Sequence, residues 1–330
     1  MGGVTMHGGT DGGPKPRYDF SSNANALGPN PEILAQVARA DLGSYPDPSY
    51  RALRGHLAEW HEVGAERVVV GAGGSELIHR LVRVFGGPVL ALEPTFGEYA
   101  LAARVASVAY IGASSRREFL AYLPRATVAF LAQPNNPTGE LYDAAFLEEA
   151  VRLARVHGAR LVLDLAYAPL AEVDAPIPTS ACLLYVPNKA HGLTGIRAAY
   201  LIAASPLTAS YVAAAAPSWV VGGTGVAFLR SHMNQKAQEW LLQTKPKLLI
   251  WRRMLAYELS KRGYEVREGA ANFLMARLGR GVYAELRRAG IKVRWLVDKG
   301  LIEWSRLSAQ PPRALAALLN EIDFVRYHRV

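Results

Sequence analysis

The order of apolar segments along this chain predicts an α/β fold with a mostly parallel central sheet and helices on both of its faces. Short continuous apolar runs are typical of strands buried on both faces, and here they alternate with segments of helical spacing. Half of the 330 residues are hydrophobic, so the chain can bury a sizeable core. After Pro217, long helical stretches and short strand candidates predict a second, smaller α+β domain.

The elements of the predicted large domain follow one another in chain order. Each predicted strand is rich in valine, leucine, isoleucine or alanine, and these strands lie at 67–70, 88–92, 127–131, 160–163, 182–186 and 198–203. A helix is predicted over 75–85, where leucine, isoleucine and valine residues fall on one face. The same spacing predicts a second helix over 143–157.

The rest of the chain is predicted to build the small domain. Its predicted helices lie at 225–230, 235–262, 281–289 and 313–327, and its predicted strands at 264–266, 272–275 and 291–293. Pro246 is expected to interrupt the longest of these helices. The sequence thus predicts three parts: an N-terminal arm with part of the small domain (1–44), a large domain (45–232), and an interdomain helix with the small C-terminal domain (233–330).

Composition argues against several classes of protein. The net charge of +9 is scattered, without a block of like charges or zinc-ligand spacing, so we expect a solvated basic surface and no nucleic-acid partner. No run of eighteen apolar residues occurs, so no membrane span is predicted, and the glycine-rich start does not resemble a secretory signal. The single cysteine, Cys182, fits a reducing, cytoplasmic compartment and is expected to be a small buried hydrophobe.

Three loops at predicted strand ends carry glycine, aromatic or amide groups, and open α/β sheets bind ligands at that edge. The glycine turn at 71–76 leads into a helix, so its N–H groups suit a phosphate, although such turns are also commonplace connections. Phe96 follows the strand 88–92 and could stack on a planar ring or pack in the core. The loop 133–139 holds two prolines and two asparagines, which make it rigid and leave Asn136 free to donate to a ligand.

A carboxylate, a phenol, an amine and a guanidinium follow farther along the chain. Asp164 ends an apolar strand and would keep a pyridine nitrogen protonated; its alternative role is a helix N-cap. Lys189 follows another strand, where desolvation and a nearby cation can free its amine to attack an aldehyde, although most lysines are solvated surface residues. Tyr167 could bond a ring oxygen, and Arg197 could pair with a phosphate through two bonds. In this order they predict a pyridoxal phosphate site.

These motifs resemble those of the fold-type I, aspartate-aminotransferase-like enzymes that use pyridoxal phosphate, and the likeness covers almost the whole chain. Within that group the chain is most similar to the branch of histidinol-phosphate aminotransferase and threonine-phosphate decarboxylase. The segments at 7–9, 19–29 and 45–54 resemble the decarboxylase more than the aminotransferase. The resemblance implies a PLP-dependent transferase-like fold and a homodimer, in which Tyr50 reaches the phosphate of the neighbour's cofactor.

The resemblance also implies roles for the cofactor-binding residues. Gly74 and Ser75 would bind the phosphate together with Arg197, and Phe96 would stack on the ring. The ring's phenolic oxygen would be held by Asn136 and by Tyr167. One departure from the family concerns the phosphate: its Ser-x-Ser/Thr-Lys pattern is replaced here by a segment without serine or threonine, so a hydroxyl is missing.

The remaining implied roles concern catalysis and the substrate. Asp164 would hold the ring nitrogen, and Lys189 would bind the aldehyde carbon and act as the general acid or base. Arg306 matches the arginine that takes the substrate carboxylate, and His7 and Asn25 would lie near the substrate's distal end.

The resemblance favours a lyase that decarboxylates a phosphorylated amino acid, O-phospho-L-threonine, to aminopropanol phosphate, as in cobalamin biosynthesis. The alternative is an aminotransferase of the histidinol-phosphate type, because the residues do not reveal which bond of the α-carbon stands perpendicular to the ring. A binding module without turnover is a third reading, against which the absence of an appended DNA-binding segment argues.

Overall fold

The structure is a computed structural model that describes residues 8–328. Its strands, in chain order, are β1 (Tyr18–Asp19), β2 (Val68–Gly71), β3 (Val89–Leu92), β4 (Tyr110–Ala113), β5 (Val128–Ala132), β6 (Arg160–Asp164), β7 (Cys182–Tyr185), β8 (Ala199–Ile202), β9 (Val266–Glu268), β10 (Phe273–Arg277), β11 (Ile291–Lys292), β12 (Arg294–Leu296) and β13 (Leu301–Ser308).

The helices surround these strands. In chain order they are α1 (Pro31–Ala38), α2 (Arg51–Trp60), α3 (Gly74–Phe85), α4 (Glu98–Val105), α5 (Arg116–Tyr122), α6 (Ala144–His157), α7 (Pro206–Ala214), α8 (Gly223–Ser231), α9 (Gln235–Lys261), α10 (Val282–Arg288) and α11 (Pro312–His328). None of the helices within residues 8–328 is both long enough and apolar enough to cross a lipid bilayer.

Seven strands form the central sheet, in the order β2-β8-β7-β6-β5-β3-β4. The five strands from β7 to β4 pair in parallel, whereas β8 runs antiparallel to both of its neighbours. This arrangement confirms the predicted α/β fold with a mostly parallel sheet. The carboxyl ends of the parallel strands and the amino end of β8 therefore meet at one edge, where such sheets place their ligands.

The central sheet is buried on both faces because alternate residues of each strand join different apolar clusters. In β6, Leu161 and Leu163 pack on one face, whereas Val162 packs on the other. Local signals set the ends of the covering helix α6: the Asp143 side chain accepts a hydrogen bond from the N–H of Phe146, and Gly158 ends the helix at φ 73°. Cys182 is buried in β7, as the sequence predicted.

A second sheet, in the order β12-β13-β10-β9, is antiparallel and lies near the C-terminus. The N-terminal arm joins this region, because β1 pairs in parallel with β11 and the Phe20 N–H donates to the Lys292 carbonyl at 2.7 Å. Helix α9, 27 residues long, connects the two sheets.

The structure departs from the predicted elements in several places. Helix α9 runs through Pro246 without interruption, because the proline faces solvent while Leu241 and Leu248 pack on both sides of it. The strand predicted at 264–266 is shifted to β9. The elements that were not predicted are the strands β1, β4, β12 and β13 and the helices α1, α2, α4, α5 and α7. Strand β13 carries the buried polar residues Ser305, Arg306 and Ser308, which hide the apolar alternation of a strand.

Candidate active site

A cavity of about 550 Å³ opens at the ligand-binding edge of the central sheet. Nine of the residues predicted for the site line this cavity, and they come from seven separate places in the chain: Gly74, Ser75, Phe96, Asn136, Asp164, Tyr167, Lys189, Arg197 and Arg306. Strand order explains most of this convergence, since β2, β3, β5, β6 and β7 all end at this edge and β8 begins there.

Asp164 is a buried carboxylate whose oxygens already have donors. Its Oδ2 accepts a hydrogen bond from the Tyr99 hydroxyl at 2.9 Å, and its Oδ1 accepts one from the Ala166 N–H at 3.1 Å. Burial raises the pKa of this carboxyl, while the charge of Lys189 and the two hydrogen bonds oppose that rise. The bond to Ala166 is local, as for an N-cap, but Asp164 also lines the cavity, where a ligand can reach it.

Lys189 lies in the loop between β7 and β8, with its amine close to Tyr167. The Nζ atom is 4.9 Å from the centre of the Tyr167 ring. The Tyr167 hydroxyl accepts a hydrogen bond from the Asn23 side-chain amide at 3.3 Å, and its ring packs edge-on against Phe273. The amine and the phenol are therefore held side by side in a largely buried setting.

The glycine turn before α3 forms an anion site. Gly73 has φ 104° and no side chain caps the helix, so the first N–H groups at Gly74 and Ser75 remain available for a ligand. A Cβ atom at Gly73 would lie 2.8 Å from an Nη atom of Arg197. The glycine thus makes room for the guanidinium beside the helix N-terminus, and both groups favour a phosphate.

The loop 133–139 orients Asn136. The Gln133 side chain donates to the Tyr142 carbonyl, and Asn135 bonds to Thr95 and to the Pro94 carbonyl. These two side chains turn inward and fix the loop, which leaves Asn136 on the cavity wall as predicted.

Arg306 is a buried guanidinium without a counter-ion among the described residues. It donates to the Asn136 side-chain oxygen and to the Ser21 carbonyl, the latter at 2.6 Å, while its Nε has no partner in the described chain. Burial lowers its pKa to about 10. An anionic group of a substrate would supply the missing charge.

Sequence reasoning missed a small basic recess beside Arg306. Arg294 and Lys299 line this recess, which shares Gly8 and Phe96 with the main cavity. Asp298 pairs with Arg294 at 2.8 Å and offsets part of its charge. The predicted strand at 291–293 stops just before Arg294, so the only available signal was a basic residue flanking a strand.

Sequence reasoning also missed polar residues on the cavity wall. Asn23 is buried, and its side-chain oxygen has no partner in the described chain. Thr194 lines the same cavity as the glycine turn, whereas Val186, where the family carries a hydroxyl, packs its methyl groups against Gly74. Thr194 therefore offers a hydroxyl on the same wall of the cavity as Val186, which lacks one.

Three predicted roles, those of Tyr50, Asn25 and His7, stay predictions. The Tyr50 hydroxyl donates to the Val221 carbonyl and accepts from the Val221 N–H, both at 2.9 Å, and its contact with a neighbour's phosphate stays a prediction. Asn25 lies behind the lysine loop, bonded to Ala190 and Thr244, and does not line the described cavity, so its place near a substrate stays a prediction. His7 lies outside the described residues.

The lining residues fit the pyridoxal phosphate that the sequence predicts. The uncapped glycine turn with Arg197 suits the phosphate, and the buried carboxylate of Asp164 suits a ring nitrogen. Phe96 is half-buried on the same wall and can face a planar ring.

Comparisons with known proteins agree with this fit. The sequence profile of the family described as aminotransferase class I and II matches residues 16–322. The histidinol-phosphate aminotransferase of Ruegeria sp. (strain TM1040) is 31% identical, and the alignment covers 92% of this chain and 90% of that protein.

Two solved structures have the same fold. The histidinol-phosphate aminotransferase from Sinorhizobium meliloti, in complex with pyridoxal-5'-phosphate, has a TM-score of 0.84 and 23% identity, covering 96% of this chain and 92% of that one. The L-threonine-O-3-phosphate decarboxylase from Porphyromonas gingivalis has a TM-score of 0.80 and 22% identity, covering 93% and 99%. Proteins named for two different reactions thus share this architecture.

Proposed function

The chain belongs to the aminotransferase class I and II family and is a pyridoxal-phosphate enzyme, and we propose that it transfers the amino group of a phosphorylated amine, as an aminotransferase of the histidinol-phosphate type. The observation that carries the substrate class is Arg306, a buried guanidinium in the cavity wall with no carboxylate paired to it in the described chain. A phosphorylated substrate would complete that site.

Some residues of the chain are assigned to cofactor binding and another to proton transfer. We assign the phosphate of the cofactor to the first N–H groups of α3 and to Arg197, and the ring nitrogen to Asp164. When bound, pyridoxal phosphate supplies the electron-withdrawing ring that takes up the electrons of a bond broken at the substrate's α-carbon. Lys189 is the amine placed to give or remove a proton at that carbon, a contribution typically of about 10²–10⁴-fold.

Decarboxylation of O-phospho-L-threonine, which the sequence motifs favour, is the second candidate. The basic recess supports it, because a phosphorylated amino acid carries two anionic groups and this wall carries Arg306 with Arg294 and Lys299 nearby. The transferase stands first because the 31% identical relative is named for that reaction.

Product analysis separates the two reactions. The protein, loaded with pyridoxal phosphate, is incubated with histidinol phosphate and an oxo acid, and separately with O-phospho-L-threonine. Appearance of the amino acid derived from the oxo acid supports the transferase. Release of carbon dioxide with aminopropanol phosphate overturns it in favour of the lyase, and neither product with either substrate would refute both candidates.

We also propose that two copies of the chain associate through an apolar surface beside α8. Leu42 and Tyr45 are 80% and 78% exposed, and the Tyr45 ring stacks on the exposed Trp219 with their centres 4.5 Å apart. Exposed apolar clusters of this kind are typical of interaction sites. The same surface adjoins a recess of about 610 Å³ lined by Tyr45 and Arg230.

Light scattering tests this association. Tyr45→Glu should convert a dimer of the natural chain to a monomer, because a carboxylate cannot be buried in an apolar contact without a large penalty. Val156→Glu, at another exposed apolar position, is the matched control and should leave the dimer intact. A natural chain that is monomeric at micromolar concentration would contradict this part of the proposal.

A further inference from the structure

Three successive carbonyl groups of the lysine loop accept hydrogen bonds from two asparagines of the N-terminal arm. The Asn25 N–H donates to the Lys189 carbonyl at 2.8 Å, and the Asn25 side-chain amide donates to the Ala190 carbonyl at 3.1 Å. The Asn30 N–H donates to the His191 carbonyl at 2.9 Å. The backbone that carries the reactive amine is therefore fixed, residue by residue, by a segment more than 150 positions away in the sequence.

Asn25 has no side-chain group left over for a substrate. Its Oδ1 accepts from the Leu27 N–H at 3.1 Å, and its Nδ2 also donates to the Thr244 hydroxyl of α9 at 2.9 Å. The residue is buried. It thus links the lysine loop to the long helix, and its polar atoms are all engaged in holding the fold together.

The contact between the arm and the loop leaves no space for adjustment. Gly192 has φ 66°, and a Cβ atom there would lie 2.3 Å from the Gly28 carbonyl oxygen. Asn30 adds a second anchor, because its side-chain amide donates to the Ala237 carbonyl of α9 at 3.0 Å. The loop therefore cannot shift without displacing the arm.

The same arm also contacts the part of the cavity wall that contains Arg306 and Tyr167, the side proposed for the substrate. Arg306 donates to the Ser21 carbonyl at 2.6 Å, and the Asn23 side chain donates to the Tyr167 hydroxyl at 3.3 Å. A short stretch from Ser21 to Asn30 thus touches the arginine, the phenol and the lysine loop. We propose that Asn25 is a positioning residue for Lys189, which sets the reach of the amine relative to Tyr167 and Arg306.

This inference rests on the proposed role of Lys189, and it predicts a defect in chemistry with little change in substrate binding. Asn25→Ala removes the side-chain donor to Ala190 and loosens the loop. We expect kcat to fall roughly ten- to hundredfold, because small displacements of a reacting group are costly. We expect KM to change less than about twofold, since Asn25 does not line the cavity.

A spectroscopic readout separates positioning from stability. The visible absorbance of the protein loaded with pyridoxal phosphate is titrated against pH, and the mass fixed at Lys189 by borohydride is measured. The midpoint of the titration should move in Asn25→Ala and in Asn25→Asp, and the second variant keeps the acceptor for the Leu27 N–H in case the first does not fold. Ile322→Val, a buried change in the C-terminal core, is the matched destabilised control and should titrate as the natural chain does.

The outcomes are distinct. Variants of Asn25 that fold and match the natural chain in titration midpoint and kcat overturn the inference. A lowered melting temperature with unchanged kcat and midpoint also overturns it, because that result assigns Asn25 a structural role only. If the natural chain itself gains no borohydride-fixed mass at Lys189, the proposed function fails, and this is seen before any variant is made.

Discussion

The two sides of the cavity differ in how they treat their buried charge. On the cofactor side, the Asp164 carboxylate has two hydrogen-bond donors and lies close enough to Lys189 for the lysine's charge to favour its ionised form. On the substrate side, Arg306 bonds only to neutral oxygens, and its Nε has no partner in the described chain. The cofactor side is therefore assembled in advance, whereas on the substrate side a ligand would have to supply the charge that balances Arg306.

The largest expected effect comes from removing the amine of the cofactor side. Lys189→Ala should lower turnover by about 10²–10⁴-fold or more, because no other amine lines the described cavity to replace it. The measurement is turnover of whichever substrate is accepted, together with borohydride-fixed mass after loading. Lys247→Ala, at an exposed position on α9, is the control and should behave as the natural chain does. Retained turnover in Lys189→Ala would refute the assignment of this lysine.

The next largest effect is expected from removing the guanidinium of Arg306, which has no counter-ion among the described residues. Arg306→Ala should lower kcat/KM by roughly 30- to 5,000-fold, the range that corresponds to about 2–5 kcal/mol for truncating one partner of a buried charge pair. The affinity for pyridoxal phosphate should stay within a few-fold, because Arg306 is separate from the groups assigned to the cofactor's phosphate and ring nitrogen. Arg306→Lys should be intermediate, since one ammonium cannot reproduce the fork that reaches both Asn136 and Ser21. Equal losses of cofactor and substrate binding would show that Arg306 serves both sides of the cavity.

A smaller effect concerns stability on the cofactor side. The folded-state pKa of Asp164 is raised by burial, so the ionised carboxyl opposes folding above about pH 4, where the unfolded chain has already lost that proton. Asp164→Asn should therefore raise the melting temperature of the cofactor-free protein at pH 7 while impairing catalysis. This rise in melting temperature should shrink as the pH falls toward 4, because the carboxyl of Asp164 in the folded natural chain then becomes neutral, as the amide of the variant is. A lower melting temperature at pH 7 would mean that Lys189 and the hydrogen bonds outweigh burial.

The smallest effect comes from two histidines outside the cavity, of which His61 is half-buried and His232 is buried. His61 bonds to the Tyr200 hydroxyl at 2.9 Å, and the His232 ring lies 3.4 Å beyond that hydroxyl. Burial lowers the pKa of His61 to about 4 and that of His232 to about 3. Below pH 6.5 the unfolded chain therefore binds more protons than the folded chain. The contribution of these histidines to the free energy of unfolding is complete above that pH and is lost progressively toward pH 4. His61→Gln should flatten this fall in melting temperature; an unchanged slope would show that other groups cause it.

Most of the cofactor side could be predicted from sequence, because its signals are local. Asp164 ends an apolar run, the glycine turn leads directly into a helix, and Lys189 follows a strand, so each residue's place at the sheet edge follows from its own neighbours. The other side could not be predicted in this way. Arg306 lies within a strand whose polar residues hide its periodicity, and the partners of Asn25, Ala190 and Thr244, lie far from it in the sequence.

Local patterns in the sequence specify the alternating strands and helices, the sheet edge at which their polar ends gather, and the residues there that suit pyridoxal phosphate. Only the tertiary structure decided which groups are left without partners: it closed both hydrogen bonds of Tyr50 inside the chain, engaged every polar atom of Asn25, and left Arg306 without a counter-ion in the described residues. The physical reason is that a strand end or a glycine turn is specified by neighbouring residues, whereas hydrogen-bond satisfaction depends on segments brought together from distant parts of the chain.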